Sequence, residues 1–138
     1  MAVGDVVDEV AFDVERGKIG EFARATYAED PVHTADEPLA TATHVVVAGH
    51  HRDQSAFLAT LGLARERVVV GSVKWWYTRP LRAGDTLRGV RRVVADELRE
   101  GRRGGTMRLV TLETAYVDPT GAVVVWQREV LIERGGAS

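Results

Sequence analysis

A short polar loop at residues 27–33 holds the side chains whose chemistry is most informative in this sequence. It ends in His33, and histidine is the side chain that most readily takes up or releases a proton near neutral pH. Asp30, three positions earlier, could orient the imidazole or act as a second proton-transfer group. We therefore treat His33 and Asp30 as the candidate catalytic residues.

The composition excludes several other kinds of function. The 18 Lys and Arg residues are balanced by 20 Asp and Glu residues, so we expect neither nucleic acid nor an anionic membrane as a partner. The absence of cysteine excludes disulfides and thiolate chemistry. No window approaches the ~20 apolar residues of a membrane span, and residues 1–5 do not resemble a signal peptide, so we expect a cytoplasmic protein.

The first part of the chain predicts a strand, a helix and the loop that carries His33. The 138 residues, 45% of them apolar, predict one domain that spans residues 1–138. Weak alternation predicts a strand at residues 6–12, and apolar residues at helical spacing predict a helix over about residues 14–27. The loop at residues 28–40 should lie on the surface or line a cleft.

The next segment predicts a strand followed by a second helix. A β-branched run at residues 43–47 favours a strand, in which we expect His44 to be buried and hydrogen-bonded. The second helix is predicted over about residues 52–61, and Gly62 can end it in a left-handed conformation.

From residue 68 onward, long runs of β-branched and aromatic residues are separated by turn signals. Four strands are predicted at residues 68–78, 86–98, 106–117 and 122–134, and we expect them to form an antiparallel meander. Because the helices are gathered before these strands, the order of elements indicates an α+β domain whose sheet wraps a helix. The tail at residues 135–138 is predicted to be unstructured.

Several segments, taken in their order and spacing, resemble one known family. They are residues 12–25, the Asp30-Pro-Val-His33 segment, the block from Tyr77 to Leu87, residues 111–114, and Asp118-Pro-Thr-Gly121. They are similar to the MaoC-like dehydratase N-terminal family, which includes substrate-binding subunits of mycobacterial-type 3-hydroxyacyl-thioester dehydratases. The resemblance implies a hot-dog fold, a long antiparallel sheet wrapped around a central helix.

The same resemblance implies a substrate and an assembly. The substrate is an acyl group held as a thioester of coenzyme A (CoA) or acyl carrier protein (ACP), and the domain acts as a homodimer or with a second hot-dog subunit. Catalytic members of the wider group carry a motif similar to Asp-x-Asn-Pro-x-His. On this sequence His33 takes the His position, Asp30 takes the Asn position, and Ala28 stands where the catalytic Asp is expected. Asp30 or Glu29 could substitute for that carboxylate by reaching around the loop, or a partner chain could supply it.

Gly49, His50 and His51 are the candidate substrate-binding residues. They are predicted at the start of the second helix, where unpaired backbone N–H groups could polarise a thioester carbonyl. The alternative is a polar first turn in which Asp53 lies near the positive end of the helix dipole. Neighbouring histidines point in different directions and no third ligand is evident, so we expect no metal and no cofactor.

Trp76 is a further candidate for binding substrate. In the predicted strand, Trp75 and Tyr77 share one side, whereas Lys74 and Trp76 share the other. Trp76 could line an acyl tunnel or grip the adenine of CoA, although packing alone also explains large aromatic residues in strands. A set of arginines could meet carrier phosphates or protect strand edges. They are Arg79, Arg82, Arg91, Arg92, Arg102, Arg103 and Arg108.

Four functions follow as hypotheses. The first is an (R)-specific 3-hydroxyacyl dehydratase or trans-2-enoyl hydratase, with His33 as acid or base and Asp30 as its auxiliary group. The second is a non-catalytic acyl-binding subunit of a heteromeric dehydratase. The third is a thioesterase on the same fold, in which Asp53 or Glu66 activates water, and the fourth is a small-molecule binder without turnover.

Overall fold

The computed structural model of the chain describes residues 2–101 and 105–135, apart from the side chains of His50 and His51. Arg102, Arg103 and residues 136–138 of the predicted tail lie outside the described residues. The strands are β1 (Val6–Asp13), β2 (Val68–Tyr77), β3 (Thr86–Glu100), β4 (Thr106–Val117) and β5 (Val123–Arg134). The α-helices are α1 (Arg16–Ala25) and α2 (Gln54–Leu61), and 3-10 helices cover Pro31–His33, His44–His51 and Arg65–Arg67.

The five strands form one antiparallel sheet in the order β1-β3-β4-β5-β2. The α+β class is confirmed, but the predicted four-strand meander is wrong, because β2 pairs with β5 and not with β3. The segment after β2 does not turn back as a hairpin. It is tied instead to the loop ahead of the His44–His51 helix, through a bridge between Leu39 and Arg82.

The 3-10 helix His44–His51 lies inside the curve of the sheet, and we call it the buried helix. The predicted strand at residues 43–47 is therefore wrong. Val45, Val47 and Ala48 pack in one core cluster with residues of the sheet such as Phe12 and Leu87. A strand in this position would leave backbone N–H and C=O groups without partners, whereas a helix satisfies them internally. Tertiary context thus overrides the strand propensity of the β-branched run.

Helix α1 is shorter than predicted and ends in a Schellman motif. Tyr27 donates its N–H to the Arg24 carbonyl, and Ala28 donates to the Ala23 carbonyl. Tyr27 adopts φ 58°, a left-handed conformation that glycine usually supplies at this position, and its side chain is 88% exposed. The motif turns the chain sharply into the loop that carries His33.

Helix α2 covers a second core cluster on the same sheet. Phe57 and Leu61 of α2 pack with inward-facing side chains such as Val93, Val110 and Leu112. Gly62 ends the helix at φ 68°, which confirms the predicted left-handed position. No helix within residues 2–101 and 105–135 combines the length and apolarity needed to cross a membrane.

Candidate functional site

The loop at residues 28–34 folds into a short 3-10 turn that presents His33. Asp30 starts this turn, since its carboxylate accepts a hydrogen bond of 3.0 Å from the Val32 N–H. Pro31 follows at the first helical position, where its missing N–H costs nothing. The order Asp-Pro-x-His therefore builds the turn and places the imidazole at its end.

The ring of His33 is oriented by a main-chain carbonyl. Nδ1 lies 2.7 Å from the Leu39 oxygen, and the Leu39 N–H in turn donates to the Val32 carbonyl at 3.0 Å. A carbonyl oxygen can only accept, so Nδ1 carries a hydrogen, and in the neutral ring the lone pair is then on Nε2. The half-buried His33 is thus held in the tautomer that a general base at Nε2 requires.

A cavity of about 500 Å³ adjoins His33, and we call it the His33 cavity. Apolar side chains supply most of its wall, and a cavity of this size and lining is typical of small-molecule sites. Its lining residues are Val32, His33, Leu39, Ala40, Thr41, Ala42, Tyr77, Thr78, Arg79, Pro80 and Leu81. None of these lining residues is an Asp or a Glu.

The segment from Tyr77 to Asp85 forms one side of the His33 cavity. Arg79 donates two hydrogen bonds, of 2.8 and 3.1 Å, to the carboxylate of Asp85, which also accepts the N–H of Arg82. The Leu81 carbonyl accepts the N–H of Ala40, which fixes this segment against the opposite wall. The block on which the family resemblance depends most is therefore the part of the chain that shapes this cavity.

Tyr77 is a cavity residue that the sequence analysis did not single out as a site residue. Its hydroxyl donates to the Ala42 carbonyl across the space between β2 and the buried helix. Burial raises the pKa of Tyr77 to about 12, and the neighbouring Tyr116 contributes to this shift, so the hydroxyl stays protonated at neutral pH. The alternation predicted for β2 could have identified Tyr77 as a cavity residue, because it places Tyr77 and Trp75 on one side of the sheet.

Asp30 and His33 do not share the His33 cavity. The exposed Asp30 lines a different surface concavity, together with Ala28 and Glu29. Its carboxylate accepts a hydrogen bond from the backbone of the 3-10 turn instead. Ala28 adds no carboxylate at the position where the related motif has one.

A further cavity, of about 210 Å³, lies between the buried helix and strands β2, β4 and β5, and we call it the polar cavity. Gly49 of the buried helix lines it, as does Trp75. Its lining residues are Val45, Val46, Gly49, Arg52, Gln54, Val73, Trp75, Arg91, Tyr116, Gln127 and Glu129.

Two buried arginines and two carboxylates form an ion network at the polar cavity. Arg91 donates from Nε to Asp8 at 2.8 Å and from Nη1 to Glu129 at 3.0 Å, while Arg52 donates to Asp8 at 2.7 Å. Both guanidinium side chains are only 4% exposed, and Arg91 also lies over the Phe57 ring. Burial alone would raise the pKa of Asp8, but Arg91 and Arg52 outweigh it and hold that pKa below its usual value.

The chain was compared with known protein families and structures. The family model described as "FAS1-like, dehydratase domain region" matches residues 1–127. The chain belongs to this FAS1-like dehydratase family. A relative, the UPF0336 protein of Clavibacter michiganensis subsp. michiganensis, is 36% identical over 132 residues, which cover 88% of this chain and 85% of the relative.

Two solved structures show that the FAS1-like dehydratase chain has the hot-dog fold of MaoC-like dehydratases. The C-terminally truncated HadBC complex, a 3R-hydroxyacyl-ACP dehydratase from Mycobacterium tuberculosis, gives a TM-score of 0.71 at 20% identity, covering 91% of this chain and 94% of that chain. The MaoC-like dehydratase from Rhodospirillum rubrum gives a TM-score of 0.69 at 22% identity, and the match covers 100% of this chain and 96% of that chain. The family resemblance predicted from the sequence is confirmed.

In this member of the FAS1-like dehydratase family, Gly49, His50 and His51 do not lie at the start of α2. They form the last turn of the buried helix, where backbone N–H groups donate to the carbonyl three residues earlier. Helix α2 starts at Gln54, and its cap is Asp53, whose carboxylate accepts the Ala56 N–H at 3.0 Å. The predicted position of the three residues is therefore corrected, and the alternative role of Asp53 at the helix start is confirmed.

Trp76 lies on the outer side of the sheet, away from both cavities of the FAS1-like dehydratase domain. It pairs directly with Trp126 of β5, and the two side chains are 48% and 38% exposed. Trp75 and Tyr77 face inward, as the predicted alternation requires. A ligand could therefore reach Trp76 only from outside the sheet.

His44 is completely buried in the core of the FAS1-like dehydratase domain, next to Phe12 and Phe22. Within the described residues neither ring nitrogen has a hydrogen-bond partner, so the predicted burial is confirmed and the predicted hydrogen bond is wrong. Burial lowers the pKa of His44, which keeps the ring neutral. Among the described residues, no three His, Asp or Glu side chains come together as a metal site would need.

Proposed function

We propose that this chain is a single-domain, cytoplasmic acyl-thioester hydro-lyase subunit whose substrate is carried by CoA or ACP. The observation on which the proposal depends is the His33 ring, which the Leu39 carbonyl fixes through Nδ1 beside the mainly apolar His33 cavity. An apolar space suits a fatty acyl chain, and a neutral imidazole suits proton transfer near pH 7. The reaction would be (R)-specific hydration of a trans-2-enoyl thioester or the reverse dehydration.

In hydration, Nε2 of His33 would accept a proton from a water molecule whose oxygen adds to the β-carbon of the enoyl thioester. The electron pair of the double bond would move toward the thioester carbonyl as an enolate. An acid then returns a proton to the α-carbon, and a 3-hydroxyacyl thioester forms. A second acid or base beside His33 would make both proton transfers efficient.

We propose that a partner subunit supplies this second group. Ala28 has no carboxylate, and Asp30 is engaged as the cap of its own turn. The free edge of β2 offers a place for a second hot-dog sheet, since β5 is the neighbour of β2 and no other described strand pairs with it. Apolar side chains on β2 are exposed in the single chain, such as the 60% exposed Val70. Their exposure supports the proposal that a partner covers this edge in the assembly.

A second candidate function is a non-catalytic acyl-binding subunit. The absence of Asp and Glu among the described lining residues of the His33 cavity favours it, because none of them then places a carboxylate beside His33. In that case the partner would carry a complete Asp-His pair, and His33 would only contact the bound thioester. The thioesterase candidates Asp53 and Glu66 lie outside the lining of both cavities, so no observation favours that reaction.

The test measures hydration of crotonyl-CoA and longer enoyl-CoAs by the purified chain and by its His33→Ala variant. Each is assayed alone and with a hot-dog dehydratase subunit that carries an intact Asp-His pair. Activity that His33→Ala abolishes, alone or with the partner, supports the hydro-lyase. Activity that needs the partner and survives His33→Ala supports the acyl-binding subunit. No turnover in any mixture, together with no calorimetric binding of a saturated acyl-CoA, rejects both.

A further inference from the structure

The polar cavity and the His33 cavity are neighbours along the same strand. Tyr77 lines the His33 cavity and Trp75 lines the polar cavity. Residues two positions apart on a strand lie about 7 Å from each other on one face. Both cavities also lie against the buried helix or the residues just before it. The two cavities therefore lie in line along the inner face of β2, with Tyr77 and its hydrogen bond to Ala42 between them.

The wall of the polar cavity has hydrogen-bonding capacity that the described residues do not use. The Trp75 indole N–H donates to Gln127 Oε1 at 3.0 Å, which orients the amide and leaves its NH₂ group without a partner among the described side chains. Glu129 Oε1 accepts from Arg91, whereas no group in the described part of the chain donates to Oε2. Tyr116 accepts a long contact of 3.5 Å from Arg52, and its own hydroxyl hydrogen has no acceptor within the residues that the structure describes.

These unused groups include both donors and an acceptor. Burial raises the pKa of Tyr116, so its hydroxyl remains a donor at neutral pH. The Gln127 amide is a second donor, and the free oxygen of Glu129 is an acceptor. A ligand hydroxyl, which donates one hydrogen bond and accepts others, can satisfy both kinds of group at once.

The charges of the network argue against a charged ligand group. Two guanidinium groups, Arg52 and Arg91, face two carboxylates, Asp8 and Glu129, so the four charges cancel. A buried carboxylate or ammonium group brought in by a ligand would find no uncompensated opposite charge. A purely alkyl chain end would displace water from the unused donors and acceptor and would offer them no hydrogen bond in return.

We infer that the polar cavity receives a hydroxyl group carried on the distal part of the acyl chain. The inference rests on the proposed acyl-thioester function and narrows its substrate class to hydroxylated acyl thioesters. Hydrogen bonds from Tyr116 and Gln127 to the ligand oxygen, and from the ligand hydroxyl to Glu129, give this class its advantage over plain alkyl chains. Trp75 stacks its apolar face against the methylene groups that precede the hydroxyl.

The experiment measures calorimetric binding of saturated acyl-CoAs that the protein cannot hydrate. The ω-hydroxyhexanoyl, ω-hydroxyoctanoyl and ω-hydroxydecanoyl thioesters are compared with hexanoyl-, octanoyl- and decanoyl-CoA. We expect the hydroxylated ligand to bind about tenfold more tightly than its alkyl counterpart at one of these lengths. Equal or weaker binding at every length overturns the inference but leaves the proposed function intact. Failure of all six ligands to bind also overturns the inference, and together with no turnover in the hydration assays it rejects the proposed function itself.

Two variants on β4 separate a specific contact from a general effect. Tyr116→Phe removes only the hydroxyl at the cavity wall, and we expect it to reduce the preference for the hydroxylated ligand to about threefold or less. Thr114→Val removes a buried hydroxyl that lies two residues away and outside the lining of the polar cavity, so the preference should persist. A full preference in Tyr116→Phe, or an equal loss in both variants, contradicts the inference.

Discussion

The imidazole of His33 donates from Nδ1 to the main-chain oxygen of Leu39, 2.7 Å away. This bond joins the 3-10 turn after α1 to the loop ahead of the buried helix. It therefore couples the orientation of a proton-transfer group to the local fold.

A first prediction separates these two roles of His33. An asparagine amide can take the place of Nδ1, so His33→Asn should keep the bond to Leu39 and lose Nε2. We expect it to lower turnover by about 10²- to 10⁴-fold while the free energy of unfolding changes little. His33→Ala should lower turnover equally and also reduce the free energy of unfolding by about 1 kcal/mol. Steady-state kinetics and urea denaturation of the two variants would check this, and an active His33→Asn variant would contradict it.

A second prediction concerns the left-handed residue at the end of α1. Tyr27 is 88% exposed, so replacing it removes little packing. Tyr27→Gly should raise the free energy of unfolding by about 1 kcal/mol, because glycine adopts φ 58° without the steric cost of a Cβ atom. Tyr27→Ala keeps that cost and serves as the control. Equal stability of the two variants in denaturant titrations would show that the conformation is not strained.

A third prediction follows from the buried His44. Its folded-state pKa lies below the ordinary value of 6.5, so its contribution to stability is fully present above that pH. As the pH falls below 6.5, the unfolded chain takes up a proton that the folded chain excludes, and the free energy of unfolding should fall by up to ~1.4 kcal/mol per pH unit.

The control for this pH dependence is His44→Phe, which keeps an aromatic ring beside Phe12 and Phe22. Its stability should depend less on pH over the same range. Asp8 does not contribute to this pH dependence. Its folded-state pKa lies below its ordinary value of 3.8, so the stability that it contributes is lost only as the pH falls below 3.8. Parallel pH profiles of the wild type and His44→Phe would disprove the assignment to His44.

A fourth prediction contrasts two glycines. A Cβ atom on Gly89 would lie 2.7 Å from the Tyr116 ring and 3.0 Å from Val10, so Gly89→Ala should lower the free energy of unfolding by about 1–3 kcal/mol. A Cβ atom on Gly17 in α1 meets nothing within 4 Å, and Gly17→Ala should raise it by about 0.5 kcal/mol. Thermal and denaturant unfolding would measure both, and a shift of the same sign in both variants would contradict the packing argument.

A fifth prediction addresses the proposed partner edge. Val70→Lys places a charge on the free edge strand β2, and we expect it to shift the assembly from dimer to monomer in light scattering coupled to size-exclusion chromatography. Leu98→Lys makes the same change at the 73% exposed Leu98 near the end of β3, away from the β2 edge, and should leave the dimer intact. Loss of the dimer in both variants, or in neither, would remove the support for this edge.

Much of the fold could be predicted because local patterns determine it. The strand bounds agree within about two residues, and Gly62 and Asp53 act at the ends of α2 as their residue types suggest. The order of the strands could not be predicted in this way, because the pairing of β2 with β5 joins residues that are far apart in sequence. The buried helix was missed because the concave side of the sheet, and not its β-branched residues, determines its conformation.

The candidate site was only partly predictable. The residue types around His33 predicted a loop histidine, and its resemblance to a known motif identified Ala28 as the missing carboxylate. The carbonyl of Leu39 could not be found from residue types, because every residue has one. The ion network was also missed, since Asp8, Arg91 and Glu129 lie on separate strands and meet only when the sheet assembles.

The position of β5 between β4 and β2 has a consequence during synthesis of the chain. Strand β2 emerges from the ribosome long before β5, its neighbour in the sheet, has been translated. Until residues 123–134 arrive, its valines and tryptophans have no hydrogen-bonded neighbour from the chain itself. The nascent protein therefore exposes an apolar segment during the later part of its translation, and chaperone binding or early pairing with a completed subunit would protect it.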